Sequence, residues 1–115
     1  MSVHITGSGS FIPEIVKKNQ DFINVEFLNP DGSKFDVPNE VIIKKFQSIT
    51  GIEERRYVSK NDLTSDIAHS SAKNALLDSG INSESLDYII VAHNFGDINS
   101  NSRQSDVLPS IASRV

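Results

Sequence analysis

The chain contains no cysteine and no tryptophan, and aromatic residues make up only 7% of its 115 residues. The lack of cysteine excludes disulfides and thiolate metal sites, and it fits a reducing compartment, so the cytoplasm is the expected location. No apolar run approaches the roughly 18 residues of a membrane span, and the N-terminus lacks the pattern of a signal peptide. We therefore expect no membrane partner.

Strongly basic surfaces are also missing, since the net charge is -4 and the pI is about 5.2. This balance argues against a nucleic-acid partner. The isolated pairs Lys17-Lys18, Lys44-Lys45 and Arg55-Arg56 are predicted to be solvated. Glu53 and Glu54 adjoin the arginines, which favours an ion-paired surface over a general acid and base.

The three histidines, at positions 4, 69 and 93, do not have the spacing of a local metal motif, so no metal site is expected. His69 is predicted to be exposed. His93 follows an apolar run and lies beside Asn94 and Asp97, where it could face a pocket, although a hydrogen-bonded structural role is favoured. No Gly-x-Ser-x-Gly motif is present, which argues against a serine hydrolase.

A glycine-containing stretch, Gly7 to Ser10, follows a predicted strand at Val3 to Ile5. It resembles a phosphate loop at first sight, but Ile12 stands where a dinucleotide fingerprint needs a third small residue. The alternative is a turn in which the backbone needs a positive φ or a close neighbour.

The next elements are predicted from turn and capping signals. A short helix begins at Asn19, and Asn29 to Gly32 predicts a turn between two short apolar stretches. A helix follows with Asn39 as its cap and Gly51 just past its end. Its shared face is formed by Ile42, Phe46 and Ile49. Ile52 to Val58 is predicted to be a short strand or an extended segment.

A second helix is predicted from Leu63 to Ser79, ended by Gly80. Its face of small and apolar residues consists of Ile67, Ala68, Ser71, Ala72, Ala75 and Leu76. After a turn at Ser83 to Leu86, the run from Asp87 to Asn94 predicts a central parallel strand buried on both faces. A polar loop, Asn94 to Gln104, would leave its carboxyl end, where open α/β sheets build ligand sites.

A last helix is predicted to start with Ser105 or Asp106 as its cap, with Pro109 in the first turn. Its helical spacing is carried by Leu108, Ile111, Ala112 and Val115. No stop signal follows, so we expect residues 1–115 to be one portion of a larger domain, truncated within this helix. The order of elements indicates an α/β fold, a mixed sheet with flanking helices.

Four stretches together resemble a known family: Ile5 to Pro13, Thr50 to Arg56, Leu86 to Ala92 and Leu108 to Arg114. In this order they resemble beta-ketoacyl-acyl-carrier-protein synthase III, a condensing enzyme of the thiolase superfamily. The resemblance implies a partial thiolase-like fold, the front part of the first αβα half. It also implies a homodimer.

The resemblance implies acyl transfer in fatty acid biosynthesis, with acyl-CoA and malonyl-acyl-carrier protein as the parent enzyme's partners and no cofactor. A Cys nucleophile takes the acyl group, and a His and Asn pair stabilises the enolate formed by decarboxylation. All three would lie beyond Val115, so no catalytic residue is expected in this chain, and His93 and Asn94 are not that pair. The fragment alone is predicted to be inactive.

Only some of the residues with which family members contact their substrates have counterparts in this sequence. Family members that use CoA contact its nucleotide through a Trp and an Arg, and Lys45 and Ile49 stand at the matching positions. Lys45 could meet a phosphate, and Thr50 matches a threonine near the CoA entrance; Arg55 would make a structural ion pair. Two other hypotheses are a free-standing α/β binding or interaction module, such as a carrier-protein partner, and a structural fragment that self-associates through exposed strand edges.

Overall fold

A computed structural model describes residues 2–99, 101, 104–106 and 108–115. Within them it contains, in chain order, strand β1 (Ile15–Lys18), a 3-10 helix (Asn19–Phe22), helix α1 (Asn39–Thr50), strand β2 (Glu54–Tyr57), helix α2 (Thr64–Ser79), a second 3-10 helix (Ser83–Ser85) and helix α3 (Ile111–Arg114). This content confirms a small α/β structure.

The chain divides into two compact units. The inserted unit is Pro13–Tyr57, and the split unit combines Met1–Ile12 with Val58–Val115. No helix in the described part of the chain is long and apolar enough to cross a membrane.

The sheet of the inserted unit consists of β1 and β2, which pair antiparallel with Ile15 opposite Tyr57. Strand β2 confirms the strand predicted in this region, whereas β1 is missed by the sequence analysis because its two lysines interrupt the apolar pattern. Arg56 lies 3.3 Å from the Glu54 carboxylate, and both side chains are exposed. The predicted ion-paired surface is therefore confirmed for this pair.

The first 3-10 helix begins at Asn19, as predicted. The buried Asn19 side chain connects this helix to the start of β2. Its side-chain amide donates to the Ile52 carbonyl over 2.7 Å, and its oxygen accepts from Arg55 Nη1 over 2.9 Å. The Arg55 guanidinium also lies 5.7 Å from the centre of the Phe22 ring. The ion pair predicted for Arg55 is thus wrong. The guanidinium contacts the uncharged side-chain amide of Asn19 and the aromatic ring of Phe22 instead.

The turn at residues 29–32 is confirmed, because Gly32 has a φ of 83° and Leu28 pairs with Lys34 across the turn. A positive φ is a conformation that glycine adopts at no steric cost. The Asn29 amide holds the turn by donating to the Ser33 hydroxyl over 3.0 Å.

Helix α1 ends as predicted, since Gly51 adopts the left-handed conformation with a φ of 67°. Its start differs from the prediction. Pro38 is the capping residue, and Asn39 does not cap the helix because its amide donates instead to the Ile23 and Val25 carbonyls. These bonds tie the helix start to the segment that precedes it.

The buried face of α1 also differs from the predicted one. Ile42 and Ile43 are buried, and Phe46 packs edge to face against Phe27 with ring centres 5.6 Å apart. Ile49 is 79% exposed, so its predicted place on the core face is wrong. It lies in the last turn of the helix, beyond the residues that this face contacts.

In the split unit, helix α2 and its stop at Gly80, with a φ of 67°, are confirmed. The small-residue face of α2 lets two glycines approach its backbone. A Cβ on Gly7 would lie 2.7 Å from the Ala75 carbonyl oxygen, and one on Gly9 would lie 2.6 Å from that of Ser71. Neither glycine has a positive φ. The close-neighbour alternative for this stretch is therefore confirmed.

Two predicted strands of the split unit are wrong. Val3 to Ile5 and Asp87 to Asn94 form no strand, and Ile5 and Ile90 are 93% and 92% exposed. A strand requires a hydrogen-bonded neighbour, and in the described part of the chain the only sheet is the two-stranded one of the inserted unit. The polar loop that follows residue 94 therefore does not leave a buried parallel strand.

Helix α3 is shorter than predicted and begins later. Its cap is Ser110, whose hydroxyl accepts from the Ser113 amide, and not Ser105 or Asp106. Ile111 is buried, whereas Leu108 is 82% exposed because it precedes the helix. Of the four residues of the predicted apolar face, only Leu108 is exposed, and Ala112 and Val115 are half-buried.

Candidate functional site

An open cleft of about 660 Å³ runs along α2 in the split unit. Its walls are formed by Thr6 and Gly7, by α2 itself and by the extended segment that includes Leu86 and Ile89. Most of its lining is apolar; the titratable groups are His69, Lys73, Glu84 and Tyr88. Such a cleft has the apolar character of a site for a ligand or for another polypeptide segment.

His69 is exposed, as predicted, and lies at one end of this cleft. Its Nδ1 is 2.7 Å from the Val115 carbonyl oxygen. Because a carbonyl can only accept, Nδ1 carries the proton in this contact. The ring therefore links α2 to the last residue of the chain.

The strongest polar constellation of the split unit surrounds Asp97, which is 1% exposed. One carboxylate oxygen accepts from the Ser65 amide over 2.8 Å, and the other accepts from the Ser65 hydroxyl over 2.7 Å and from Arg114 Nη1 over 2.8 Å. Leu63, the residue before α2, has no side-chain oxygen to cap the helix. Asp97 thus caps α2 from a distant loop and also joins it to α3.

The surroundings of Asp97 favour the charged form of its carboxylate. Burial acts to raise its pKa, but the hydrogen bonds from Ser65 and the attraction of Arg114 outweigh burial, so the pKa lies below its ordinary value. Arg114 also donates to Asp106 and to the carbonyls of Leu108 and Pro109. With its donors used in this way, the guanidinium serves as a structural link.

A smaller cavity of about 300 Å³ is lined by His93, Asn94, Gly96 and Ser110, among others. His93 is exposed, and its Nδ1 lies 2.9 Å from the Phe95 carbonyl oxygen. The hydrogen bond favoured for His93 is therefore present, and the side chain also lines a cavity. Among the described residues, no group of three or more His, Asp or Glu side chains could hold a metal ion.

Lys45 and Thr50 lie in the inserted unit, on the second half of α1, and both are exposed. The Thr50 hydroxyl donates to the Phe46 carbonyl and accepts from the Ile52 amide over 3.1 Å, so it closes the end of the helix. Neither residue lines the two cavities described above, both of which belong to the split unit.

Sequence reasoning missed the roles of Ser65, Asp97 and Arg114. One signal was available: α2 begins after Leu63, which leaves the first amides of the helix without a capping side chain. The sequence did not indicate that Asp97 supplies the missing hydrogen-bond acceptor, because Asp97 lies 32 positions from Ser65 in the chain.

The chain is similar in sequence to several curated proteins that belong to one class, the synthases. The chain is 39% identical over 98 residues to the beta-ketoacyl-[acyl-carrier-protein] synthase III of Staphylococcus haemolyticus. It is 40% identical over 91 residues to the protein of that name from Clostridium acetobutylicum, and 35% identical over 97 residues to that from Staphylococcus saprophyticus. No protein-family profile matches the chain.

These similarities confirm the predicted resemblance to beta-ketoacyl-[acyl-carrier-protein] synthase III. The aligned regions cover 85%, 79% and 84% of this chain, in the order in which the relatives are named above. They cover only 27%, 24% and 27% of the lengths of those relatives. The chain thus spans about a quarter of the length of the curated relatives it matches.

Proposed function

We propose that this chain is the front portion of a synthase III-like enzyme whose whole protein condenses an acyl thioester with malonyl-acyl-carrier protein in fatty acid biosynthesis. The observation that carries the proposal is the similarity to the synthases over most of the chain. The thiolase-like architecture, the homodimer and the cytoplasmic location belong to the same proposal. The α/β content of the structure is compatible with part of such a fold.

We expect the 115-residue chain alone to catalyse no condensation, because it has no cysteine to accept the acyl group. The test incubates the purified chain with acyl-CoA and radiolabelled malonyl-acyl-carrier protein and measures the labelled 3-oxoacyl product. The buffer blank sets the background. Product above that background would contradict the assignment of the nucleophile to a part of the protein outside this chain.

The enzyme proposal itself is tested on the source gene. Reading the coding sequence past the Val115 codon should reveal a continuing frame with a strand and then a Cys at the start of an apolar, Gly-rich helix. A stop codon at that point would overturn the proposal for this gene product.

We also propose that Lys45 lies at the CoA entrance of the whole enzyme and meets a phosphate, while Thr50 shapes the same entrance. The exposure of Lys45 supports this role. In the whole enzyme, Lys45→Ala should weaken CoA binding by about threefold, the effect of one exposed ion pair. Isothermal titration measures the Kd. The matched control is Lys44→Ala, an exposed neighbour, and an equal loss in both variants would contradict a specific role.

The alternative function is a binding module, and the apolar cleft along α2 is the observation that favours it. In that case the 115-residue chain would itself bind holo acyl-carrier protein saturably. A titration that shows no saturable binding would leave the enzyme proposal as the better account.

A further inference from the structure

Asp31-Gly32 is the only Asp-Gly pair of the sequence, and the sequence contains no Asn-Gly pair. In such a pair the backbone nitrogen of the glycine can attack the side-chain carboxyl carbon of the aspartate. Glycine has no side chain to shield its nitrogen, and it adopts backbone angles that other residues avoid. Each of the other eight aspartates precedes a residue that has a side chain. Spontaneous rearrangement of the backbone is therefore chemically easiest at Asp31.

The rearrangement needs no reagent other than water. A bond forms between the Gly32 nitrogen and Asp31 Cγ, the amide proton leaves with the hydroxyl of the protonated carboxyl group as water, and the product is a cyclic succinimide. Water then opens the ring. Cleavage between the nitrogen and the backbone carbonyl carbon of Asp31 leaves the chain connected through Cβ and Cγ, which is an isoaspartate. Cleavage between the nitrogen and Cγ restores the aspartate.

The Gly32 nitrogen is engaged in a hydrogen bond in the folded chain. The pair lies at the tip of a hairpin from Phe27 to Phe35, in which the Phe35 amide donates to the Phe27 carbonyl over 3.0 Å. At the tip, the Gly32 amide donates to the Asn29 carbonyl over 2.9 Å and closes the turn. Because the attacking nitrogen must lose its proton, the turn has to open before the ring can form.

The carboxylate of Asp31 is held by Ser33. Its Oδ1 accepts from the Ser33 hydroxyl over 2.7 Å and from the Ser33 backbone amide over 2.9 Å. These bonds, that of the hydroxyl first, hold the pKa of Asp31 below its ordinary value. Ring closure proceeds from the protonated carboxyl group, since a carboxylate does not release an oxygen as water. The contacts of Ser33 therefore disfavour the reaction.

We propose that Asp31-Gly32 is a modification site that the closed hairpin protects and that converts to isoaspartate when the hairpin opens. Ser33 is the side chain responsible for part of this protection. Both residues of the pair are exposed, so water has free access to the succinimide once it forms. An isoaspartate adds one carbon atom to the backbone, which prevents the turn from reforming in its original register. The proposal does not rest on the catalytic proposal.

We expect the folded 115-residue chain to form isoaspartate at residue 31 at least about tenfold more slowly than the same chain unfolded in urea, because hydrogen bonds of both reacting groups must break in the folded chain. Both samples are incubated at the same neutral pH and temperature. After proteolytic digestion, liquid chromatography with mass spectrometry separates and quantifies the isoaspartyl peptide. Equal rates in the two samples would overturn the proposal.

The role of Ser33 is tested in the folded chain by the same measurement. Ser33→Ala should raise the rate about fivefold, the effect of one lost hydrogen bond, whereas Ser33→Thr keeps the hydroxyl and should keep the native rate. The matched control is Lys34→Ala, which removes an exposed ion pair with Glu26 and leaves Ser33 in place. Circular dichroism verifies that each variant is folded. A native rate in Ser33→Ala would overturn the proposal, and so would an equal increase in Ser33→Thr or Lys34→Ala.

Discussion

Asp97→Ala should lower the free energy of unfolding by about 3 kcal/mol, the largest effect that we expect from a single polar residue of this chain. The substitution leaves the buried Ser65 amide and hydroxyl without their acceptor and takes the closest carboxylate from Arg114. Urea denaturation followed by circular dichroism measures the loss. Because Asp97 joins α2 to α3, helical signal should be lost with it.

The matched control is Asp106→Ala, which removes the other carboxylate that contacts the same arginine. Asp106 lies 3.3 Å from Arg114 and its side chain is 60% exposed, so we expect a loss below about 1 kcal/mol. Equal losses in the two variants would show that burial of Asp97 adds nothing to stability.

The pH dependence gives a further readout of the same prediction. Because the pKa of Asp97 is lowered in the folded state, its contribution is present above the ordinary aspartate pKa and is lost as the pH falls through the lower, folded value. The Asp97→Ala variant should therefore lose less stability on acidification than the wild type. A parallel decline in both proteins would contradict the lowered pKa.

Gly9→Ala should destabilise the split unit by about 3 kcal/mol through a steric clash. The added Cβ would lie 2.6 Å from the Ser71 carbonyl oxygen and closer still to the Ala75 amide nitrogen. Both are helix backbone atoms, so neither can move aside without distorting α2. Thermal unfolding measured by circular dichroism should show the loss as a lower Tm.

Gly80→Ala separates this clash from the general effect of replacing a glycine. A Cβ on Gly80 would meet nothing within 4 Å, but its φ of 67° is a conformation that alanine adopts at a cost of about 1 kcal/mol. The effect of Gly9→Ala should therefore clearly exceed that of Gly80→Ala. The reverse order would mean that the segment around Gly9 is not packed on the helix.

Local features of this fold were predictable from the sequence because their causes lie within a few residues. The stops at Gly51 and Gly80 and the turn at Gly32 each depend on a backbone conformation that glycine favours. The small-residue face of α2 follows from helical periodicity alone. The predicted and observed ends of α1 and α2 agree for this reason.

Strand pairing was not predictable in the same way, because it depends on a partner far away in the chain. The apolar run that contains Ile90 has the composition of a buried central strand, yet that side chain is 92% exposed. Conversely, β1 carries two lysines and still forms a strand, because β2 supplies its hydrogen bonds.

The candidate site follows the same rule. The place of His93 beside a pocket was predicted from the polar residues around it, whereas the bonds of Asp97 to Ser65 and Arg114 needed the tertiary structure. The roles of Lys45 and Thr50 were inferred from family resemblance alone, so they remain proposals.

The pairing of β1 with β2 gives the inserted unit a property of evolutionary interest. Because Ile15 lies opposite Tyr57, the chain enters and leaves this unit at neighbouring points, about 5 Å apart. A segment whose two ends meet can be lengthened, shortened or exchanged for another by a single genetic event, since the surrounding polypeptide need only bridge a small gap. The strand pair thus brings the two ends of the inserted unit together, an arrangement in which changes of the segment between them disturb the flanking chain little.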